Sequence, residues 1–136
     1  MSMTIRIAAA LLIGRDGQTL LVRKRGTQAF MQPGGKVDAG EQPIEALSRE
    51  LQEELNLRID PTHAVYLGQF SAPAANEPGF TVQAELFQVT IDAAVFPAAE
   101  IEEVRWIDPM SDGGLHLAPL TRDFILPFYR DSLATA

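Results

Sequence analysis

The chain has no cysteine among its 136 residues. That excludes a disulfide scaffold, a thiolate zinc site, an iron–sulfur cluster and a cysteine nucleophile, and it fits a reducing, cytoplasmic setting. Positive charge is also scarce: 11 Lys and Arg stand against 18 Asp and Glu, a formal net charge of −7. A protein that binds a nucleic-acid polymer carries a basic face, so no such partner is expected. A small anionic ligand stays open, because a metal ion reverses the local sign. Long apolar runs are missing too. The run from Ile7 to Ile13 is too short to span a bilayer. Arg15 and Asp16 follow it at once, so it reads as a strand, and no membrane partner is expected.

What is present describes a globular chain. Apolar residues make up 46% and charged residues 21%. The length suits one domain over residues 1–136, and at this size roughly two thirds of the unfolded surface can be buried. Ile5 to Ile13 predicts a buried strand, Arg15 to Gln18 a turn, and Thr19 to Arg25 a second strand. Residues 26–40, with Pro33, Gly34, Gly35 and Gly40, read as a shaped loop. A helix follows, with Pro43 at its first position, Glu45 placed as in a capping box behind Gln42, and Asn56 suited to the left-handed conformation that ends a helix. His63 to Ala72 and Thr81 to Ile91 predict two more strands, with Pro73 to Gly79 as loop between them. Val104 to Ile107 predicts a short strand. Pro119 to Tyr129 predicts a C-terminal helix bent near Pro127. This order predicts an α+β fold, a mixed β-sheet flanked by helices.

The first helix carries the chemistry. At 100° per residue, Ile44, Leu47, Leu51 and Leu55 share one apolar sector that should face the sheet. Glu50, Glu53 and Glu54 gather on the adjoining sector by their three- and four-residue spacing. Three like charges at that spacing repel one another. A hard divalent cation offsets the repulsion, since Mg²⁺ takes carboxylate oxygens together with substrate phosphates. Arg49, beside this face, can pair with Glu45 or Glu53 or tie down a loop carboxylate or carbonyl. On the helix alone, a solvated acidic face with surface ion pairs explains the same residues equally well. The glycine-rich loop in front shifts the balance: Gly34 and Gly35 allow close backbone approach, and Lys36 adds one positive charge.

Gly35, Glu41, Arg49, Glu50, Leu51, Glu53, Glu54 and Leu57 reproduce the spacing G-x5-E-x7-R-E-U-x-E-E-x-G-U, where U is aliphatic. This 23-residue stretch, residues 35–57, resembles the Nudix box of the Nudix hydrolases. It departs at one fixed position, where Asn56 stands in place of glycine. The flanks LVRKRG, PGGKVDAGE and EIEEVRWIDP resemble those of the family as well. The resemblance implies a Nudix-type α/β/α sandwich. It also implies metal-dependent hydrolysis of a nucleoside diphosphate-linked substrate, chiefly a (deoxy)nucleoside triphosphate cleaved to monophosphate and pyrophosphate, as in the compact, mutator-preventing branch.

The resemblance further implies that Glu50, Glu53 and Glu54 hold Mg²⁺, for which Mn²⁺ can substitute. The Gly35 carbonyl would be a further ligand and Glu41 an orienting or outer one. Arg49 would position the catalytic carboxylates. The general base is a box glutamate or a later carboxylate: Glu100 is the candidate, with Glu102, Glu103 and Glu85 as rivals. Arg23, Arg25 and Lys36 are candidate substrate contacts, with Arg23 and Arg25 on one face of their strand and Lys24 on the other. One ring among Phe30, Phe70, Phe80 and Phe87 is a candidate to stack on a base. The alternatives are an ADP-ribose or other nucleotide-sugar pyrophosphatase, or a Nudix domain that binds a nucleotide without turnover. A homodimer is compatible with the resemblance but has no motif of its own here.

Overall fold

The structure is a computed structural model and describes residues 3–135. Its elements are β1 (Thr4–Ile13), β2 (Thr19–Lys24), β3 (Phe30–Met31), β4 (Gly34–Lys36), α1 (Pro43–Leu55), β5 (Val65–Pro73), β6 (Thr81–Thr90), β7 (Ile101–Ile107) and α2 (Leu126–Ala134). A single 3-10 turn, Pro61–His63, precedes β5, and a π-helical turn, Thr121–Ile125, leads into α2.

β1 and β6 form the parallel centre of a mixed sheet, in register from Thr4 opposite Thr81 to Ile13 opposite Thr90. Both bury apolar residues on the two faces, as a strand covered from both sides does. The main strand order is β3-β2-β1-β6-β5, and every pairing other than β1 with β6 is antiparallel. β1 and β2 pair only at Ile13 and Thr19. Away from that point β1 takes β4 as its partner, and β2 takes β3 and β7. The sheet therefore forks, and the fork is where the candidate site lies.

Alternation sorts the core into two layers. Ala8, Ala10, Leu12, Leu20, Val22, Phe87 and Val89 pack with Ala46, Leu47, Leu51 and Leu55 of α1. Ala9, Leu11, Ala84 and Leu86 pack with Ile125 and Tyr129 on the other face, where Leu21 also meets Leu126. The result is the α/β/α sandwich the sequence predicts. Leu47, Leu51 and Leu55 have no exposure, and burying each contributes about 1.5–3 kcal/mol. That is what holds the charged face of α1 in place.

Several boundaries differ from the sequence reading. Residues 26–40 are not all loop, because β3 and β4 lie within them. Each is only two or three residues long, too short for a periodicity to show. β5 begins at Val65 instead of His63, because Pro61 opens a turn in which Asp60 caps Thr62. β7 starts at Ile101, three residues before the expected strand, because Glu103 and Ile101 find partners in Arg23 and Lys24 of β2. The C-terminal helix runs on to Ala134, and its irregularity is the π-helical turn before Pro127. Asn56 adopts the left-handed conformation expected of it, with φ of 53°.

Candidate active site

Gly34 and Gly35 lie on β4 against Ala8 and Ala9 of β1. At Gly34 the β1 backbone leaves no room for a side chain, and at Gly35 a side chain would have to displace the Glu50 carboxylate. A Cβ on Gly35 would stand 2.6 Å from both carboxylate oxygens of Glu50, and one on Gly34 would stand 2.8 Å from the Ala9 Cα. The Glu50 carboxylate therefore rests directly over the backbone at Gly35, an approach that only glycine permits.

Arg49 organises the rim. Its Nε and Nη2 donate to the two carboxylate oxygens of Glu41, each at 2.9 Å. Its Nη1 donates to Glu50 Oε1 at 2.9 Å, and its Nη2 also donates to the Lys36 carbonyl at 3.1 Å. The planar guanidinium thus ties the loop, the strand and the helix together, a fork that lysine would not reproduce. Glu53 lies 3.7 Å from Arg49, with its side chain 55% exposed. Glu45 does not meet Arg49; its carboxylate accepts from the Gln42 N–H at 2.8 Å and caps α1.

The carboxylates on α1 and in the loop before it differ sharply in environment. Arg49, hydrogen-bonded to Glu41, holds the Glu41 carboxyl down to about 2. Burial raises the Glu50 carboxyl, and Arg49 opposes part of that rise. Glu54 is 2% exposed. Burial first, then the charge of Glu50, pushes its carboxyl up to about 8, and its Oε1 has no hydrogen-bond partner. A buried acceptor without a donor is costly, and this one faces a second raised carboxylate. That chemistry fits a hard cation. Among the described residues, however, no three acidic or imidazole side chains converge closely enough to enclose an ion.

The later carboxylates separate. Glu100 pairs with Lys24 at 3.3 Å, and both act on the charge of Glu54. The segment before β7 is fastened to the end of α1: the Ala98 N–H donates to the Glu54 carbonyl at 2.8 Å, and the Phe96 N–H to the Leu55 carbonyl at 2.9 Å. Glu102 pairs with Arg25, and Glu103 with Arg23 and Arg105. Glu85 lies on the α1 side of the sheet, alternating with Phe87 and Val89, but its carboxylate accepts from the Tyr66 hydroxyl at 3.1 Å and is not left alone.

A cavity occupies the fork of the sheet, and Lys24, Gly35, Lys36 and Glu54 are part of its lining. Arg23 and Arg25 are not in that lining. Arg23 points to the opposite face, held by Glu103 and by the Thr27 carbonyl at 2.9 Å, with its guanidinium 6.0 Å from the Phe30 ring centre. Arg25 is exposed and pairs with Glu102. No aromatic ring lines the cavity among the described residues. Phe30 and Phe87 are core, and Phe70 packs edge-on against Phe128. Among the polar lining residues that the sequence reading did not put forward are Lys24, Gln32, Asn76, Glu77 and Thr121. The signal for Lys24 was present, because alternation with Val22 turns it to the α1 side. Gln32 and Thr121 meet only through tertiary contact.

Comparison with known proteins bears on the family and the fold. The model of the NUDIX domain matches residues 3–123. An octanoyltransferase of Myxococcus xanthus is 37% identical over 113 residues, 77% of this chain and 30% of that protein. An 8-oxo-dGTP diphosphatase of Haemophilus influenzae is 46% identical over 57 residues, 39% of this chain and 42% of the relative. The chain thus spans less than half the length of these curated relatives. Among solved structures, the MutT protein from Methanosarcina mazei superposes with a TM-score of 0.79 at 24% identity, covering 97% of this chain and 96% of that one. The NUDIX domain of Shewanella oneidensis NrtR, solved with ADP ribose, superposes with a TM-score of 0.76 at 16% identity, covering 98% and 90%. At these identities the superpositions speak for the fold.

Proposed function

The chain belongs to the Nudix domain family, and from that premise we propose that it is a metal-dependent pyrophosphohydrolase acting on a nucleotide, with (deoxy)nucleoside triphosphates as its substrate class. One observation carries the reading: the buried Glu54 carboxyl, whose Oε1 has no partner, stands with Glu50 beside the glycine backbone of β4 at a cavity that also holds Lys24 and Lys36.

Glu50, Glu53 and Glu54, with the Gly35 carbonyl, would hold Mg²⁺ or Mn²⁺, and Glu41 would act through Arg49. When bound, such an ion supplies charge for the phosphates and lowers the pKa of a coordinated water. The chain's own residues do the rest. Arg49 fixes the direction of Glu50 while its grip on Glu41 keeps the loop closed. Lys24 and Lys36 supply positive charge at the cavity wall for a polyphosphate. Glu100 is the base we favour among the later carboxylates, since it shares Lys24 with the cavity whereas Glu102 and Glu103 are engaged by arginines. It would take a proton from the attacking water.

Hydrolysis of ADP ribose or another nucleotide sugar is the second reading, favoured by the ADP ribose carried by the superposable Shewanella oneidensis domain. The test is release of pyrophosphate or phosphate from canonical deoxynucleoside triphosphates, 8-oxo-dGTP, ADP ribose and diadenosine polyphosphates, each with Mg²⁺ and with Mn²⁺. A triphosphate preferred tenfold in kcat/KM, about 1.4 kcal/mol, supports the first reading, and ADP ribose preferred by that margin supports the second. No turnover with either metal supports a binding domain. Glu53→Gln is expected to keep the fold and lose most activity; wild-type turnover in that variant would overturn the metal assignment.

A further inference from the structure

We propose that Gln32 and Thr121 read the substrate's base and favour one with a carbonyl oxygen on its recognition edge, as in guanine, hypoxanthine, uracil or thymine, over one with an amino group there, as in adenine or cytosine. This rests on the reading of the site as a nucleotide pyrophosphohydrolase.

Gln32 follows β3 and is 6% exposed; Thr121 opens the π-helical turn and has no exposure. They lie 89 residues apart in sequence, and the Thr121 hydroxyl donates to Gln32 Oε1 at 2.8 Å. Both line the cavity that also holds Gly35 and Glu54. Gln32 Nε2 is buried and has no hydrogen-bond partner. A glutamine amide offers one acceptor oxygen and one donor nitrogen. With the oxygen engaged by Thr121, the amide is held as a donor.

A buried donor without an acceptor is costly, and the cavity lining that Gln32 joins includes the apolar Met31, Ala118 and Leu120. A hydrophobic side chain would fill this place without that penalty. The amide becomes favourable once a ligand brings an acceptor to it, after a small shift of the side chains that cover Nε2. The backbone at Thr121 points the same way. The Leu126 N–H donates to the Thr121 carbonyl five residues back, so the turn is widened where Thr121 meets Gln32. Such turns recur at functional sites.

Gly34 and Gly35 follow Gln32 directly after Pro33, so one short stretch presents both the amide and the backbone beside Glu50. A carbonyl oxygen accepts from Nε2, whereas an exocyclic amine sets donor against donor. A site built to hydrogen-bond one group rejects the analogue that lacks it.

Calorimetric binding of GMP and UMP, against AMP and CMP, with Mg²⁺ tests this, alongside hydrolysis of the matching triphosphates. The wild type is expected to prefer GMP and UMP by about tenfold or more. Gln32→Leu should remove that preference by weakening the oxo nucleotides only. Thr121→Val keeps the shape, releases the amide to turn over, and should narrow the preference as well. The Gln32 side-chain amide resonance should shift with GMP and stay in place with AMP, a readout that needs no variant to fold. Equal binding of both classes by the wild type, or equal weakening of both by Gln32→Leu, overturns the proposal while hydrolysis of triphosphates leaves the proposed function standing. Failure of every nucleotide to bind or to be hydrolysed overturns both.

Discussion

The Glu50 carboxylate occupies the space that a side chain on Gly35 would need. The carboxylate lies where a Cβ on Gly35 would stand, 2.6 Å from its two oxygens. Arg49 prevents Glu50 from swinging away, because the same guanidinium is anchored on Glu41 and on the Lys36 carbonyl. Gly35→Ala is therefore expected to displace Glu50 and to lower kcat by about a hundredfold, the effect of a misplacement of roughly 1 Å. Steady-state kinetics at saturating Mg²⁺ check this, and an unchanged kcat would show that the close approach has no role. Arg49→Lys keeps the charge but loses the two-pronged hold on Glu41. It should lower kcat about tenfold or more, as the same assay would show. Glu41, released from its partner, should then titrate closer to its ordinary value of 4.5 than to about 2, which carboxyl-carbon NMR would detect.

At the scale of the element, α1 is both a packing unit and a platform. Leu47, Leu51 and Leu55 anchor one side of it in the core, so the glutamates beside them are presented at a fixed angle to β4. Its end is equally defined. Asn56 has φ of 53°, and its Nδ2 donates to the Phe96 carbonyl at 2.9 Å. One residue thus stops the helix and also fastens the segment that leads to Glu100. Asn56→Gly should preserve stability to within about 1 kcal/mol, because glycine accepts this conformation, while loosening residues 96–100. Asn56→Ala should cost about 1–2 kcal/mol, since it loses both the conformation and the hydrogen bond. Urea unfolding separates the two variants, and amide exchange at Ala98 reports the loosening. Equal stability for Gly and Ala would show that left-handed strain is unimportant here.

At the scale of the molecule, stability depends on pH through groups pulled in opposite directions. Glu54 has a folded value of about 8 against an ordinary 4.5. The folded state is therefore favoured fully below 4.5, and that contribution is lost as pH rises through 8. Glu41 is lowered to about 2 from 4.5; its contribution is present above 4.5 and is lost as pH falls through 2. The metal-free protein should thus lose stability between about pH 5 and 8, by an amount on the order of a few kcal/mol if Glu54 dominates. Mg²⁺ should restore it at the alkaline end, by about 2.7 kcal/mol at a hundredfold excess over Kd. Thermal melts from pH 5 to 8.5, with and without Mg²⁺, check both signs. Glu54→Gln should flatten the metal-free profile. A profile that is flat in the wild type would remove the buried carboxyl from the account.

The legible and illegible parts of this protein divide by range. Short-range chemistry was written in the order of residues: the apolar stripe of α1, Pro43 at its start, Asn56 at its end, and the box of glycine, arginine and glutamates over residues 35–57. The stripe and the two helix ends depend on neighbours within a few positions, where helical geometry sets who meets whom, and the box shows in its spacing although Gly35 meets Glu50 across 15 residues. Two-residue strands such as β3 carry no period and stayed hidden until β2 supplied their partner. Alternation put Arg23 and Lys24 on opposite faces of β2, but only the tertiary structure decided which face meets Glu103 and which the cavity. It likewise decided that Glu54, and not the exposed Glu53, is the carboxyl under stress, and that Gln32 meets Thr121 across 89 residues. Burial and pairing at such distances follow from how the sheet forks between β1 and β2. That fork is set by the competition of whole strands for partners, which no local window of sequence contains.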